Sequence, residues 1–229
     1  MHRWGVMHRL SRIWVVVWAV ACAGQMVACG QEAAPTVKPD VPAVDVPTPS
    51  AKAPPEVVAS AVAAVQKLGA EVVLGHYQVA IDRMLPSWKE RMAKRMGGTE
   101  ELQKQLAGLS AQMSQQGVSM ISFKPDGENR SFEVWPGKKK TVVDGKETEE
   151  LIYTKWLIII PTVTQFRIMK DRDFHIIESR GFQIAVSDKG ADDWTFIDGS
   201  GVTVSELRSL FLTLPADVEL PQIERREVR

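Results

Sequence analysis

Leu157-Ile158-Ile159-Ile160 offers no polar position in four consecutive residues. A half-exposed strand alternates apolar with polar, so this run calls for a strand buried on both faces. It lies within Tyr153 to Met169, a stretch rich in β-branched and aromatic residues, which predicts a long central strand. Pro161 falls inside it and marks a bulge or an edge, because proline cannot donate to a ladder. Whatever else the chain does, it must cover both sides of this segment.

Strands are predicted around it. Val118 to Lys124, Ser131 to Trp135, Phe174 to Ser187 and Trp194 to Ile197 have the composition, with turns at Asp126-Gly127, Asp144-Gly145 and residues 188–193. Ahead of them the period is helical. Val57, Val58, Ala61, Val62, Val65 and Leu68 recur at three- and four-residue steps, with Pro55 suited to a first turn. Helix is expected to continue from Glu71 to Met96 with a break at Leu85-Pro86 and an end at Gly97-Gly98. Thr99 is then an N-cap for a further helix carrying Leu102, Leu106, Leu109 and Met113, and Val204 to Leu212 is a short last one. Helices first and an antiparallel meander after is an α+β arrangement with N-terminal helices on one face of a curved sheet.

This domain is expected to span residues 56–229. Before it, residues 29–55 form a tether: Gln31 to Pro55 carries seven of the 13 prolines and no aromatic residue. Such a segment cannot bury enough surface to offset its ordering entropy, and as an extended spacer it reaches up to ~75 Å. Residues 1–28 have the form of a lipoprotein signal peptide. Arg3, Arg9 and Arg12 stand without an acid before the apolar run Ile13 to Ala23, which is shorter than the ~20 residues of a membrane span. Met26-Val27-Ala28-Cys29 resembles a bacterial lipobox, with Cys29 the lipidated residue and Cys22 of Ala19-Val20-Ala21-Cys22 the alternative. Each buried methylene contributes ~0.8 kcal/mol, so two or three acyl chains anchor where one does not. The expected location is the periplasmic side of a membrane. Gly30 after Cys29 points to the outer membrane if the envelope is Gram-negative.

Charge and cysteine usage exclude several functions. The net charge of zero averages a basic leader with a body of 25 basic and 28 acidic side chains, which is no basic face for nucleic acid. Both cysteines lie in the first 29 residues, so the body has no disulfide framework, Cys-ligated zinc or cysteine nucleophile. His76 and His175 are its only histidines, too few for a multi-histidine metal site. No metal site and no cofactor is expected.

The order of elements resembles the nuclear transport factor 2-like fold, in which helices close one side of a curved sheet into a cone. Three stretches are similar to a group of uncharacterised exported bacterial proteins of that type. They are His76-Tyr77-Gln78 through Leu85-Pro86 to Gly97-Gly98-Thr99-Glu100; Phe182 to Ser187 with Asp193 to Gly199; and Leu207 to Phe211 with Leu214-Pro215 and Leu220-Pro221. The match spans most of residues 70–221. Lys138 to Lys146 and Lys170 to Asp173 depart from it and read as extra polar loops. The resemblance implies fold and export, and no activity.

Chemistry-bearing residues are sparse. His76, Tyr77 and Asp82 supply acid–base groups on one predicted helix, but six residues between His76 and Asp82 put them about 120° apart around it. Trp88, Trp135, Trp156 and Trp194 combine area with a donor and could line a pocket; Trp156 and Trp194 are the binding candidates, against a plain core role. Lys138-Lys139-Lys140 is followed by Glu147, Glu149 and Glu150, which cancel its field. Asp188, Asp192 and Asp193 lack the spacing of a calcium loop, and Gly199-Ser200-Gly201 reads as a turn. The expected role is a lipid-anchored envelope protein binding an unknown protein or small ligand. The alternatives are a small-molecule enzyme with its residues inside the cone, and a homodimerising assembly module.

The anchor makes a direct prediction. Cys29→Ser should abolish labelling by a fatty-acid probe, and labelling that survives it identifies Cys22 or removes the lipobox.

Overall fold

A computed structural model describes residues 52–143, 146–170 and 173–228. Cys22, Cys29, almost all of the proline-rich stretch and the Asp144-Gly145 dipeptide lie outside the described residues. In chain order the elements are α1 (Pro55–Val73), α2 (Gln78–Asp82), α3 (Pro86–Met96), α4 (Thr99–Gln115), β1 (Val118–Pro125), β2 (Arg130–Val143), β3 (Lys146–Lys170), β4 (Asp173–Asp188), β5 (Thr195–Asp198), α5 (Val204–Leu210) and β6 (Glu224–Val228).

The central strand is longer than its composition suggested. β3 runs 25 residues, which would span ~80 Å if straight, and β4 pairs with it without a register shift from Lys155↔Asp188 to Lys170↔Asp173. The sequence pattern predicts a meander, but the sheet is wired differently. β1 and β2 lie end to end on one edge of β3, β1 pairing with residues 162–168 and β2 with 146–159. β5 and β6 likewise share the outer edge of β4. The result is a six-stranded, antiparallel, curved and unclosed sheet built on one two-stranded spine. Pro161 explains the gap between β1 and β2. Its carbonyl accepts from the Asp126 amide at 2.9 Å, so its ring nitrogen faces the same edge, where the chain turns from β1 to β2 and no ladder donor is needed.

Both faces of the spine are covered. Leu157 to Ile160 are each 0% exposed. Even-numbered Trp156, Ile158 and Ile160 pack with Ala185, Trp194 and Phe196 beneath Ala61, Val65 and Leu68 of α1. Odd-numbered Leu157 and Ile159 pack with Ile184, Val186 and Ile197 against Trp88 of α3, Leu207 of α5 and the Phe211–Val218 segment. Helices therefore lie on both faces, and not on one as the α+β pattern alone suggested. An isoleucine ladder without a polar face allows nothing else.

Local chemistry sets the helix limits. The expected helix from Glu71 is broken twice. Gly75, at φ 88°, follows α1 in the left-handed region, its amide bonding Val72 and that of His76 bonding Glu71, which is the Schellman ending. Leu85-Pro86 makes the second break and Pro86 starts α3. Gly97, at φ 90°, ends it. Gly98 takes the cap position of α4, so Thr99 is its first residue and not its cap. α5 opens on a capping box in which Thr203 Oγ1 accepts from the Glu206 amide at 3.2 Å and Glu206 returns to the Thr203 amide at 3.0 Å.

Two polar segments became strand. Lys138, Lys139 and Lys140 sit in β2 opposite Leu151, Glu150 and Glu149, with Lys138 Nζ 2.8 Å from Glu149. Cross-strand pairing of opposite charges lets a run read as a loop extend a hairpin. β6, Glu-Arg-Arg-Glu-Val, carries no strand signal and is held by partners on β4. Arg226 places Nη2 2.7 Å and Nε 3.0 Å from Oε1 of buried Glu178, and His175 Nδ1 lies 2.6 Å from Glu227.

Two tests follow from this packing. A Cβ on Gly69 of α1 would lie 2.1 Å from Phe123 of β1. Alanine gains about 1 kcal/mol in helix propensity, but overpacking costs about 1–3 kcal/mol, so Gly69→Ala should lower unfolding free energy by about 1 kcal/mol in urea; a rise would mean that Phe123 swings away. The Arg226 hydrogen bonds hold the Glu178 carboxyl below its usual value, with burial opposing. A native value below the unfolded one gives stability that is present above the unfolded value and lost as pH falls through the native one. Glu178→Gln should therefore flatten the acid limb of a stability–pH curve and lower stability at neutral pH.

Candidate functional site

Trp135 is the one non-glycine residue with positive φ among those described, at 67°. A bulky side chain there carries ~1–2 kcal/mol of strain, and Pro136 disfavours a helical backbone in the residue before it still further. The conformation redirects the ring. Regular alternation sends Val134 to the face of Leu157 and Trp135 to the face of Trp156. Trp135 instead meets Phe211, of the Val134 cluster, edge-on with ring centroids 6.3 Å apart. Lys155 Nζ stands 6.0 Å from the Trp135 ring centre and 2.5 Å from Asp188 Oδ1. Thr154 Oγ1 donates to the Trp135 carbonyl at 2.8 Å, fixing the flipped peptide.

The edge-on pair contributes ~0.5–1.5 kcal/mol and an exposed cation–π contact ~0.5–1 kcal/mol. Together these only offset the strain. Trp135 nevertheless stays 46% exposed, and Leu212, next to Phe211 in the chain, is 82% exposed. Burial does not account for an aromatic held this way, which leaves an exposed ring with a lysine–aspartate pair at its margin. Such a surface can stack on or cover an apolar partner group.

The other sequence candidates do not converge. His76 is exposed and its Nδ1 lies 2.8 Å from Glu71. Tyr77 is half-buried, donates weakly to Met113 Sδ at 3.8 Å, and burial raises its hydroxyl above the usual phenol range. Asp82 is exposed and accepts from Gln78 Nε2 at 2.8 Å. None of the three bonds another. Trp156 and Trp194 are buried on the α1 side, Trp156 beneath Lys189 Nζ at 4.7 Å and Trp194 donating to Ser60 Oγ at 3.0 Å. Their surroundings are those of core residues. Asp188, Asp192 and Asp193 go to Lys155, Ser60 and Arg83 respectively. Among the described residues no cluster of three metal-ligating groups exists. A shallow open depression on α3 is lined by Ser87, Glu90, Arg91, Lys94 and Arg95, all of one helix. It is a groove on a helix surface, not the interior of a cone.

What the sequence did offer for Trp135 was its context. A tryptophan before Pro136-Gly137 at the end of a strand signals an interruption, but not which way the ring turns.

No protein-family model, no curated protein and no solved structure matches this chain. Among the described residues no helix is long and apolar enough to cross a membrane.

Strain at residue 135 can be measured. Trp135→Gly should be more stable than Trp135→Ala by about 1 kcal/mol in denaturant titration, because both lose the ring but only glycine accepts the backbone without strain.

Proposed function

We propose that this is a lipid-anchored cell-envelope protein whose domain binds an envelope partner through the Trp135–Leu212 surface. The observation that carries the binding half is the strained, exposed tryptophan, whose ring partner Phe211 precedes the exposed Leu212 in the chain. Strain maintained without a matching gain in burial is the mark of a position kept for contact with something else. The anchoring half rests on the basic leader, the short apolar run and the Met26-Val27-Ala28-Cys29 tetrapeptide. A proline-rich spacer supports it, since a domain meeting partners away from a bilayer needs reach. For the fold family, the helices-then-sheet order and the curved, unclosed sheet favour a nuclear transport factor 2-like domain; the second layer over the Leu157 face would then fill what is a cavity in an open cone.

Site-specific photo-crosslinking tests the surface in cells. A crosslinker replacing Leu212 should give a discrete adduct that is weakened at least severalfold by Trp135→Gly, whereas one replacing Leu74, exposed at the end of α1, should give none. Equal adducts at both positions, or an adduct indifferent to Trp135, would remove this surface from the proposal.

A further inference from the structure

α3 gathers positive charge in a chain that has no net charge. Ser87, Glu90, Arg91, Lys94 and Arg95 line its open depression, which has a volume of about 380 Å³, at the small end of the ~300–1,000 Å³ of ligand pockets. Steps of three and four residues put these side chains on one side of the helix. Lys94 and Arg95 stand in the last turn, where the helix dipole favours cations, but the dipole does not account for Arg91 a turn earlier on the same side. Both guanidiniums are held in place. Arg91 Nη1 donates to Ser209 Oγ at 2.6 Å and to the Glu206 carbonyl at 3.3 Å, so its Nε and Nη2 have no hydrogen-bond partner among the described residues. Arg95 Nη2 lies 2.5 Å from Glu206 Oε1, and its guanidinium is 5.9 Å from the Trp88 ring centre. The other Glu206 oxygen serves the Thr203 cap. Lys94 and Glu90 are exposed and make no ion pair among the described residues.

We infer that this depression binds a phosphate group, either free in solution or carried as a monoester on a lipid headgroup. Three cations against one carboxylate give its lining an excess of positive charge, which suits a phosphate bearing about −1.5 to −2. A carboxylate ligand brings a single charge and two oxygens, too few for two guanidiniums and an ammonium. A tetrahedral phosphate presents an oxygen to each of Arg91, Lys94 and Arg95, with guanidinium forks suited to such oxygens and the Ser87 hydroxyl as a further donor. Because α5 already fixes Arg91 and Arg95, little ordering of their long side chains is lost on binding. Glu90 is the one group in the lining that opposes the anion. The inference is independent of the Trp135 surface and of the lipid anchor.

The test uses the full chain with Cys22→Ser and Cys29→Ser, so that no acyl anchor contributes. Binding of inorganic phosphate is read from broadening of its phosphorus-31 resonance, and sulfate should displace it where acetate does not. Vesicles of phosphatidylcholine containing phosphatidic acid, which exposes a phosphate monoester, are tested in parallel by co-sedimentation. Lys94→Glu, a change at an exposed and unpaired side chain, should weaken binding about tenfold, the loss of one charge-assisted contact. Lys67→Glu makes the same charge change at an exposed position of α1, on the other face of the sheet, and should leave binding within twofold. Glu90→Gln should tighten binding severalfold, a gain that a merely structural role for the helix surface would not produce. Lys94-dependent broadening without sedimentation assigns the ligand to a soluble phosphate, and Lys94-dependent sedimentation assigns it to a headgroup. Absence of both signals, equal losses in Lys94→Glu and Lys67→Glu, displacement by acetate as readily as by sulfate, or binding that Glu90→Gln does not strengthen would each overturn the inference.

Discussion

The unbroken ladder between β3 and β4 is the constraint from which the rest of the domain follows. Its centre, Leu157 to Ile160 against Gln183 to Val186, is aliphatic on both sides apart from Gln183. Neither side can face water at a cost a domain of this size tolerates, since each such side chain is worth about 1.5–3 kcal/mol on burial. α1 must lie on one side, and α3, α5 and the segment after α5 on the other. The other four strands attach in pairs at the two edges, since none of them accompanies β3 or β4 along its whole length. Packing and topology thus have one origin in a hairpin that no single neighbour spans.

Exposed apolar side chains sit where that order stops. At one end the hairpin of β2 and β3 outruns β4, and there Trp135 is turned across the sheet by a left-handed backbone. At the other end the β3–β4 hairpin outruns β1 and β6, and Met169 and Phe174 are left uncovered. The middle, where a cone-shaped domain would hold a ligand, is filled by side chains from both clusters. The exposed Trp135 and the exposed Met169–Phe174 pair are thereby far apart along the spine.

Much of the architecture was readable from residue patterns, and the failures have physical causes. Period and punctuation located α1, the Leu85-Pro86 break, the Gly97-Gly98 end and the two long strands, because those signals are local. β6 was invisible because Glu224 to Glu227 are all charged, and their strand is specified by Glu178 and His175 some fifty residues away. Lys138 to Lys140 looked like a loop because Glu149, the partner of Lys138, comes 11 residues later in the chain. Among the aromatics, Trp156 follows strand alternation into the core, and Trp194 joins it from just before β5. Trp135 does not, and alternation was the rule by which a sequence reader would have placed it.

The distance along the chain between α1 and its partners has a consequence for biogenesis. Ser60 on α1 bonds Trp194, 134 residues later, whereas β3 and β4 form a hairpin from neighbouring segments. Local contacts form early and remote ones late. α1 therefore meets β1 through Gly69 and Phe123 early in the chain, and the Trp194 side of its surface only much later. The Trp194 and Phe196 part of the surface beneath α1 is the last of it to be made.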